Sequence, residues 1–138
     1  MQTRIVVAVT LTAALTGSPA HAEEWLSVSK TSDDHPTEIF IDISSIVLKD
    51  NIRIAQTKWV ALLPWPGHAQ PFNGAAFGFQ RWSFDCTAGL VQTGGAELHS
   101  ADGRIAGFLD GEQRWRPVED PVTKKMFDLV CRKPASSS

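Results

Sequence analysis

The chain lacks most of the features from which an activity is usually read. It has no tyrosine and two cysteines among its 138 residues, and no apolar run approaches the roughly 18 residues of a membrane-crossing helix. Basic residues are not in excess. Thirteen Lys and Arg stand against fifteen Asp and Glu, a formal charge of −2 spread evenly along the chain. A nucleic-acid partner would need a basic face to displace counterions, so none is expected. No G-x-S-x-G elbow, glycine-rich phosphate loop, paired carboxylates or cofactor fingerprint is present, and no cofactor is expected. His35, His68 and His99 lie in separate segments without paired-ligand spacing, so no metal site is expected either. A serine hydrolase set would have to be assembled from Ser83, His99 and Asp102, residue types without a motif. The expectation is a protein that is not an enzyme.

What is present begins with an address. Arg4 precedes an apolar run from Ile5 to Leu15, followed by the helix breakers Gly17 and Pro19 and the small-residue pattern Ala20-His21-Ala22. This pattern predicts a secretory signal over residues 1–22, cleaved after Ala22, and one domain over 23–138 located in the periplasm or secreted. No transmembrane anchor would remain after cleavage. Of the 13 basic residues only Arg4 is lost, which leaves 12 against 15 acidic ones. In an exported chain of this size Cys86 and Cys131 are expected to form one disulfide rather than a metal site. The alternatives are two buried thiols or a bridge between chains.

Period-two alternation predicts most of the rest. WLSVSK from Trp25 suits an edge strand. Glu38–Ile43 places Ile39, Ile41 and Ile43 on one face and Phe40 and Asp42 on the other, and Ser44-Ser45-Ile46 suits one helical turn capped by Asp42 or Ser44. After a turn at Lys49-Asp50-Asn51, Ile52–Leu63 reads as a central strand. Ala76–Cys86 resumes the pattern with a change of apolar parity that suggests a bulge near Gln80-Arg81. Leu90–His99 and Arg104–Leu109 follow, joined by Ala101-Asp102-Gly103. Trp59, Trp82 and Trp115 fall on strand-like segments and read as core or sheet-covering residues.

Asp120 can cap a final helix that starts at Pro121, where a missing N–H costs nothing. Val122, Met126 and Val130 recur every four residues beside Phe127 and Cys131, giving one apolar stripe. The basic pairs Lys124-Lys125 and Arg132-Lys133 read as charges placed favourably toward the helix's negative end. The tail 133–138 is expected to be disordered. The predicted class is α+β: a single antiparallel sheet of about six strands with a C-terminal helix packed on one face.

The order of these segments resembles the surface-adhesin protein E family of Gram-negative bacteria. The features are Trp25 just after the signal, I-x-I-D-I-S-S-I at Ile39–Ile46 and the strand holding Lys58-Trp59. F-D-C at Phe84–Cys86, the A-D-G-R-I hairpin, and the ending W-R-P-V-x-D-P with D-L-V-C complete the set. The resemblance covers nearly the whole of 23–138. It implies an antiparallel sheet with a packed C-terminal helix and a host-matrix adhesin that binds laminin, vitronectin and plasminogen and can dimerise. No lipidation cysteine follows the cleavage position, unlike a surface-displayed member, and no ligand residue of an adhesin maps onto this chain.

Trp65, His68 and Phe72 are the candidate binding residues, because Pro64–Gly74 contains three prolines and two glycines and must leave the sheet. An indole flanked by rigid prolines is a low-entropy binding anchor. The competing reading has Trp65 and Phe72 folding back over an open sheet end. The expected partner is a protein or an envelope macromolecule, and a homodimer through a sheet edge is the other arrangement weighed. Function divides accordingly between an exported binding domain and a periplasmic structural or assembly factor.

Overall fold

Strands form where apolar residues recur at every second position, because successive side chains of an extended chain leave on opposite faces. The computed structural model describes residues 22–32, 34, 36–62, 75–132 and 136–137. Six strands run in chain order across one antiparallel sheet: β1 (Trp25–Lys30), β2 (Thr37–Lys49), β3 (Ile52–Ala61), β4 (Phe77–Asp85), β5 (Leu90–His99) and β6 (Ile105–Leu109). A two-residue β7 (Arg116–Pro117) pairs with the start of β5 and leads into α1 (Pro121–Arg132). The α+β class expected from sequence, with its single helix on one face, is what the chain forms.

The longest strand is β2, and it replaces the helical turn expected at Ser44-Ser45-Ile46. Asp50 and Asn51 both adopt positive φ, 50° and 69°, so a two-residue turn matched to the strand twist returns the chain at once. Lys49 then pairs with Ile52 and Val47 with Ile54, which holds residues 47–49 in the sheet. The pairing skips from Asp42 to Val47, and the residues between them bulge. Asp42 Oδ1 accepts the Ser44 N–H at 3.0 Å and its hydroxyl at 2.6 Å, so the capping chemistry is present without the helix. Ser45 donates to Asp42 O at 2.6 Å and accepts the Gln56 N–H at 2.8 Å.

β4 is unbroken against β3, from Arg53↔Phe84 to Val60↔Phe77. The parity change read as a bulge is instead the two faces of one regular strand. The register does shift across Arg81, but the extra residue belongs to β5, where Thr93 to Ala96 span what Trp82 to Gln80 span on β4. Gly94-Gly95 occupies that spot, and Gly94 O accepts the Gln80 side-chain amide at 2.9 Å.

The helix begins as its sequence dictates. Asp120 Oδ2 accepts the Thr123 N–H at 2.8 Å and Asp120 O accepts the Lys124 N–H at 2.9 Å, satisfying donors that have no partner inside the helix. Met126 and Val130 are fully buried against Val28, Ile41, Ile46, Ala55, Phe84 and Val91. Val122, Phe127 and Cys131 pack at the margin of that core, and Thr123 is buried as well. Two further ties hold the far end. Cys131 is bonded to Cys86, with Cα atoms 5.6 Å apart, and Arg53 Nη1 donates to Val130 O at 2.8 Å, a cation at the negative end of the helix.

On the same face beyond the helix, Trp59 and Leu109 pack over Ala75, Ala96 and Leu98. Trp59 pairs with Gly78, and its indole lies where a side chain at position 78 would go, an added Cβ falling 2.5 Å from Nε1. Trp115 is an exception to the expected tryptophan burial, since it is 38% exposed in the connection before β7. Two residues of the tail also have a place: Ser136–Ser137 pair in parallel with Val47–Leu48. Pairing with β1 ends at Asp42, so that stretch of β2 offers an open edge.

Candidate functional site

The residues singled out from sequence divide in two. Cys86 and Cys131 are brought together as one disulfide. Trp65, His68 and Phe72 lie outside the described residues. The Ser83, His99 and Asp102 set is not assembled. Ser83 pairs with Gln92 while His99 pairs with Phe77, and six strand positions separate Ser83 from Phe77, roughly 20 Å at 3.3 Å each. Asp102 is engaged inside its own hairpin, accepting from the Ser100 hydroxyl at 2.6 Å and from the Arg104 guanidinium at 2.7 Å. The Ser100 hydroxyl first, and then Arg104, hold its carboxyl below the ordinary carboxylate value. Among the described residues no three His, Cys, Asp or Glu side chains group as a metal set, and no helix is long and apolar enough to cross a membrane.

The candidate site is instead the sheet face opposite α1. Side chains in register across an antiparallel sheet share a face, and one row runs Phe40↔Lys58↔Phe79↔Glu97↔Phe108 across five strands. The adjacent row is Glu38↔Val60↔Phe77↔His99↔Ile105. These rows place Phe77, Phe79 and His99 side by side, with Phe40 and Phe108 one strand further out, beyond Lys58 and Glu97. Trp25 reaches in from β1, its ring centroid 6.2 Å from that of Phe79.

Ring contacts connect Phe77, Phe79, His99 and Trp25 into one cluster. His99 stacks on Phe77 at 4.9 Å with planes 2° apart and meets Phe79 edge-on at 5.7 Å, while Phe77 and Phe79 are edge-to-face at 5.8 Å. Such pairs carry attraction beyond their buried area. His99 is held by both nitrogens: Nδ1 lies 3.0 Å from Gly103 O and Nε2 lies 2.7 Å from Glu97 Oε1. The Trp25 indole N–H donates to Glu23 Oε2 at 2.9 Å. At the outer edge Phe108 and Ile105 are 70% and 57% exposed, and β6 carries no charged residue between them.

At the centre stands Lys58. Its Nζ is 4.6 Å from the Trp25 ring centroid and 5.1 Å from that of Phe40, a cation over two negative ring faces. The ion pairs of the described residues all lie elsewhere, so none of their carboxylates pairs with it. Asp42, at the near edge, is spoken for. Burial pushes its carboxyl up, but the Ser44 hydroxyl and the N–H groups of Glu24 and Ser44 outweigh that and hold it below the ordinary value.

A partly exposed aromatic surface that holds Lys58 among its rings, with Arg81 exposed one row away, suits the capture of a complementary surface. Its signal in the sequence was Phe40 standing on the polar face of Ile39–Ile43 and Phe77 and Phe79 on the parity opposite to Trp82 and Phe84. What joins them is cross-strand register, which one chain segment does not display. Comparison of the chain with protein-family profiles, with curated proteins and with solved structures found no match.

Proposed function

We propose that this chain is an exported, non-catalytic binding domain that holds a protein of the cell envelope or the host matrix on the open face of its sheet. The observation that carries the proposal is the row Phe40, Lys58, Phe79 and Phe108 with Trp25, Phe77 and His99 beside it, opposite the helix-covered core. Aromatic anchors with little rotamer freedom dominate interface energies. Lys58, covered on one side by rings and paired with no carboxylate of the described residues, complements a partner that presents an acidic side chain among apolar ones. Export is supported by the signal-like segment at 1–22 and by the disulfide, which persists in oxidising compartments. The motif order resembling surface-adhesin protein E supports an adhesin role.

An edge-to-edge homodimer draws less support. Both free edges of the sheet carry a register irregularity, between Ser27 and Ser29 on β1 and opposite Leu98/His99 on β6, and bulges twist an edge away from further pairing.

The test uses the mature domain on a biosensor against laminin, vitronectin and detergent-solubilised envelope proteins. Phe108→Ala and Lys58→Glu should weaken the bound partner at least tenfold, the size of an interface hot spot of about 2 kcal/mol, with unfolding midpoints unchanged. If those variants bind like wild type while Trp65→Ala and Phe72→Ala do not, the site is Pro64–Gly74 and the open-face assignment is wrong. If wild type binds none of these proteins, the binding-domain reading fails.

A further inference from the structure

A groove of about 660 Å³ follows the flank of α1 on the opposite side of the sheet from the aromatic face, a size ordinary for small-molecule sites. Its lining runs from Pro121 to Arg132, the whole length of the helix, or about 16 Å at 1.5 Å per residue. The floor is apolar: Leu26 from β1, Ile43 from the β2 bulge and Leu129 from α1. Ile43 reaches it by the same alternation that buries Ile41 on this side of the sheet, and Leu26 is 39% exposed.

The rim is cationic. Lys124, Lys125 and Arg132 line the groove against a single carboxylate, Asp128. Asp128 sits four residues from both Lys124 and Arg132, yet the ion pairs of the described residues lie elsewhere, so the three cations remain exposed around apolar surface. In a chain with more acidic than basic residues, this concentration of positive charge beside an apolar slot is a local feature. Complementarity requires a ligand with one elongated apolar body and one anionic head.

We infer that the groove binds a monomeric anionic amphiphile, its alkyl chain laid along Leu26, Ile43 and Leu129 and its carboxylate or phosphate head among Lys124, Lys125 and Arg132. The chain contributes through burial and the head through charge, so the two respond to different perturbations. Fatty acids and single-chain phospholipids share this chemistry.

Calorimetric titration of the mature domain with octanoate, decanoate and dodecanoate below their micelle concentrations tests the chain. Affinity should rise roughly tenfold for each two methylenes added. Dodecyl phosphate in place of dodecanoate tells which head is preferred, and either preference supports the site. Dodecylamine should bind at least tenfold more weakly than dodecanoate. The double variant Lys124→Glu, Lys125→Glu should weaken dodecanoate at least tenfold and reverse the preference for dodecylamine. Leu26→Glu, at an exposed edge position, should weaken dodecanoate while far-ultraviolet circular dichroism stays unchanged. Phe108→Ala on the opposite face should have no effect, which separates this site from the protein-binding face. Affinity independent of chain length, equal binding of dodecylamine, or binding to anionic phospholipid vesicles without binding to monomeric dodecanoate would each overturn the inference.

Discussion

Replacing Cys86 and Cys131 together by alanine should lower global stability by about 4 kcal/mol and leave the helix docked. The bridge spans a sequence separation of 45, for which loop-closure entropy in the unfolded chain amounts to about 4 kcal/mol. That is a large part of a domain stability of about 5–15 kcal/mol. The helix does not depend on the bridge for its position. Met126 and Val130 are 1% and 0% exposed, each worth about 1.5–3 kcal/mol on burial, and Arg53 holds the Val130 carbonyl. The loss should therefore appear as one cooperative transition displaced to lower denaturant. In urea, where the slope is about 1–3 kcal/mol per molar, the midpoint should fall by roughly 1.3–4 M. The assay is urea unfolding followed by both far-ultraviolet circular dichroism and tryptophan fluorescence. Wild type kept in a reducing agent should match the double variant. A midpoint shift under about 0.5 M would refute the loop-closure argument. Helical signal lost well before the fluorescence change would refute the docking argument, because the bridge alone would then be retaining α1.

Asp120→Ala should cost about 1 kcal/mol, the usual worth of an N-cap, with no change in the slope of urea unfolding; an unaltered midpoint would contradict the cap's role. Gly78→Ala should destabilise by about 1–3 kcal/mol, because the added Cβ falls 2.5 Å from Trp59 Nε1 and the indole must move; a variant as stable as wild type would show that Trp59 has room to yield. The carboxyls of Asp42, Asp102 and Asp120 lie below their ordinary value when folded, Asp120 through the Thr123 hydroxyl and N–H first and Arg116 after them. A depressed folded value stabilises above the unfolded value of about 4 and is lost as pH falls through the folded one. Thermal midpoints should accordingly be flat down to about pH 5 and drop below about pH 4. Asp42→Asn should lower the midpoint at pH 7 and make the acid limb shallower; acid limbs that superimpose would remove Asp42 from the account.

Much of the architecture could be read in one dimension because its causes are local. Alternation in Ile39–Ile43 and Leu90–His99, Asn51 at a left-handed turn position, and Asp120-Pro121 ahead of an every-fourth-residue stripe each act within a few residues. Ser44–Ile46 departs from its local pattern for the complementary reason. Its residues suit a cap, and the cap's hydrogen bonds do form, but pairing of Lys49 with Ile52 across the turn keeps the chain extended. At Gln80-Arg81 the pairing with β5 is irregular where the parity change places a bulge, but the extra residue lies across on β5, which the pattern of one strand cannot show.

Sequence by itself determined the class, most of the strands, the helix and its start, and the pairing partner available to each cysteine, since these follow from periodicity, capping and a count of two. Tertiary structure alone decided which side chains meet across strands: Lys58 between Trp25 and Phe40, His99 on Phe77, and Ile43 beneath the cations of α1. Register and bulges set those meetings, and a shift of one residue in pairing would send every one of these side chains to the other face.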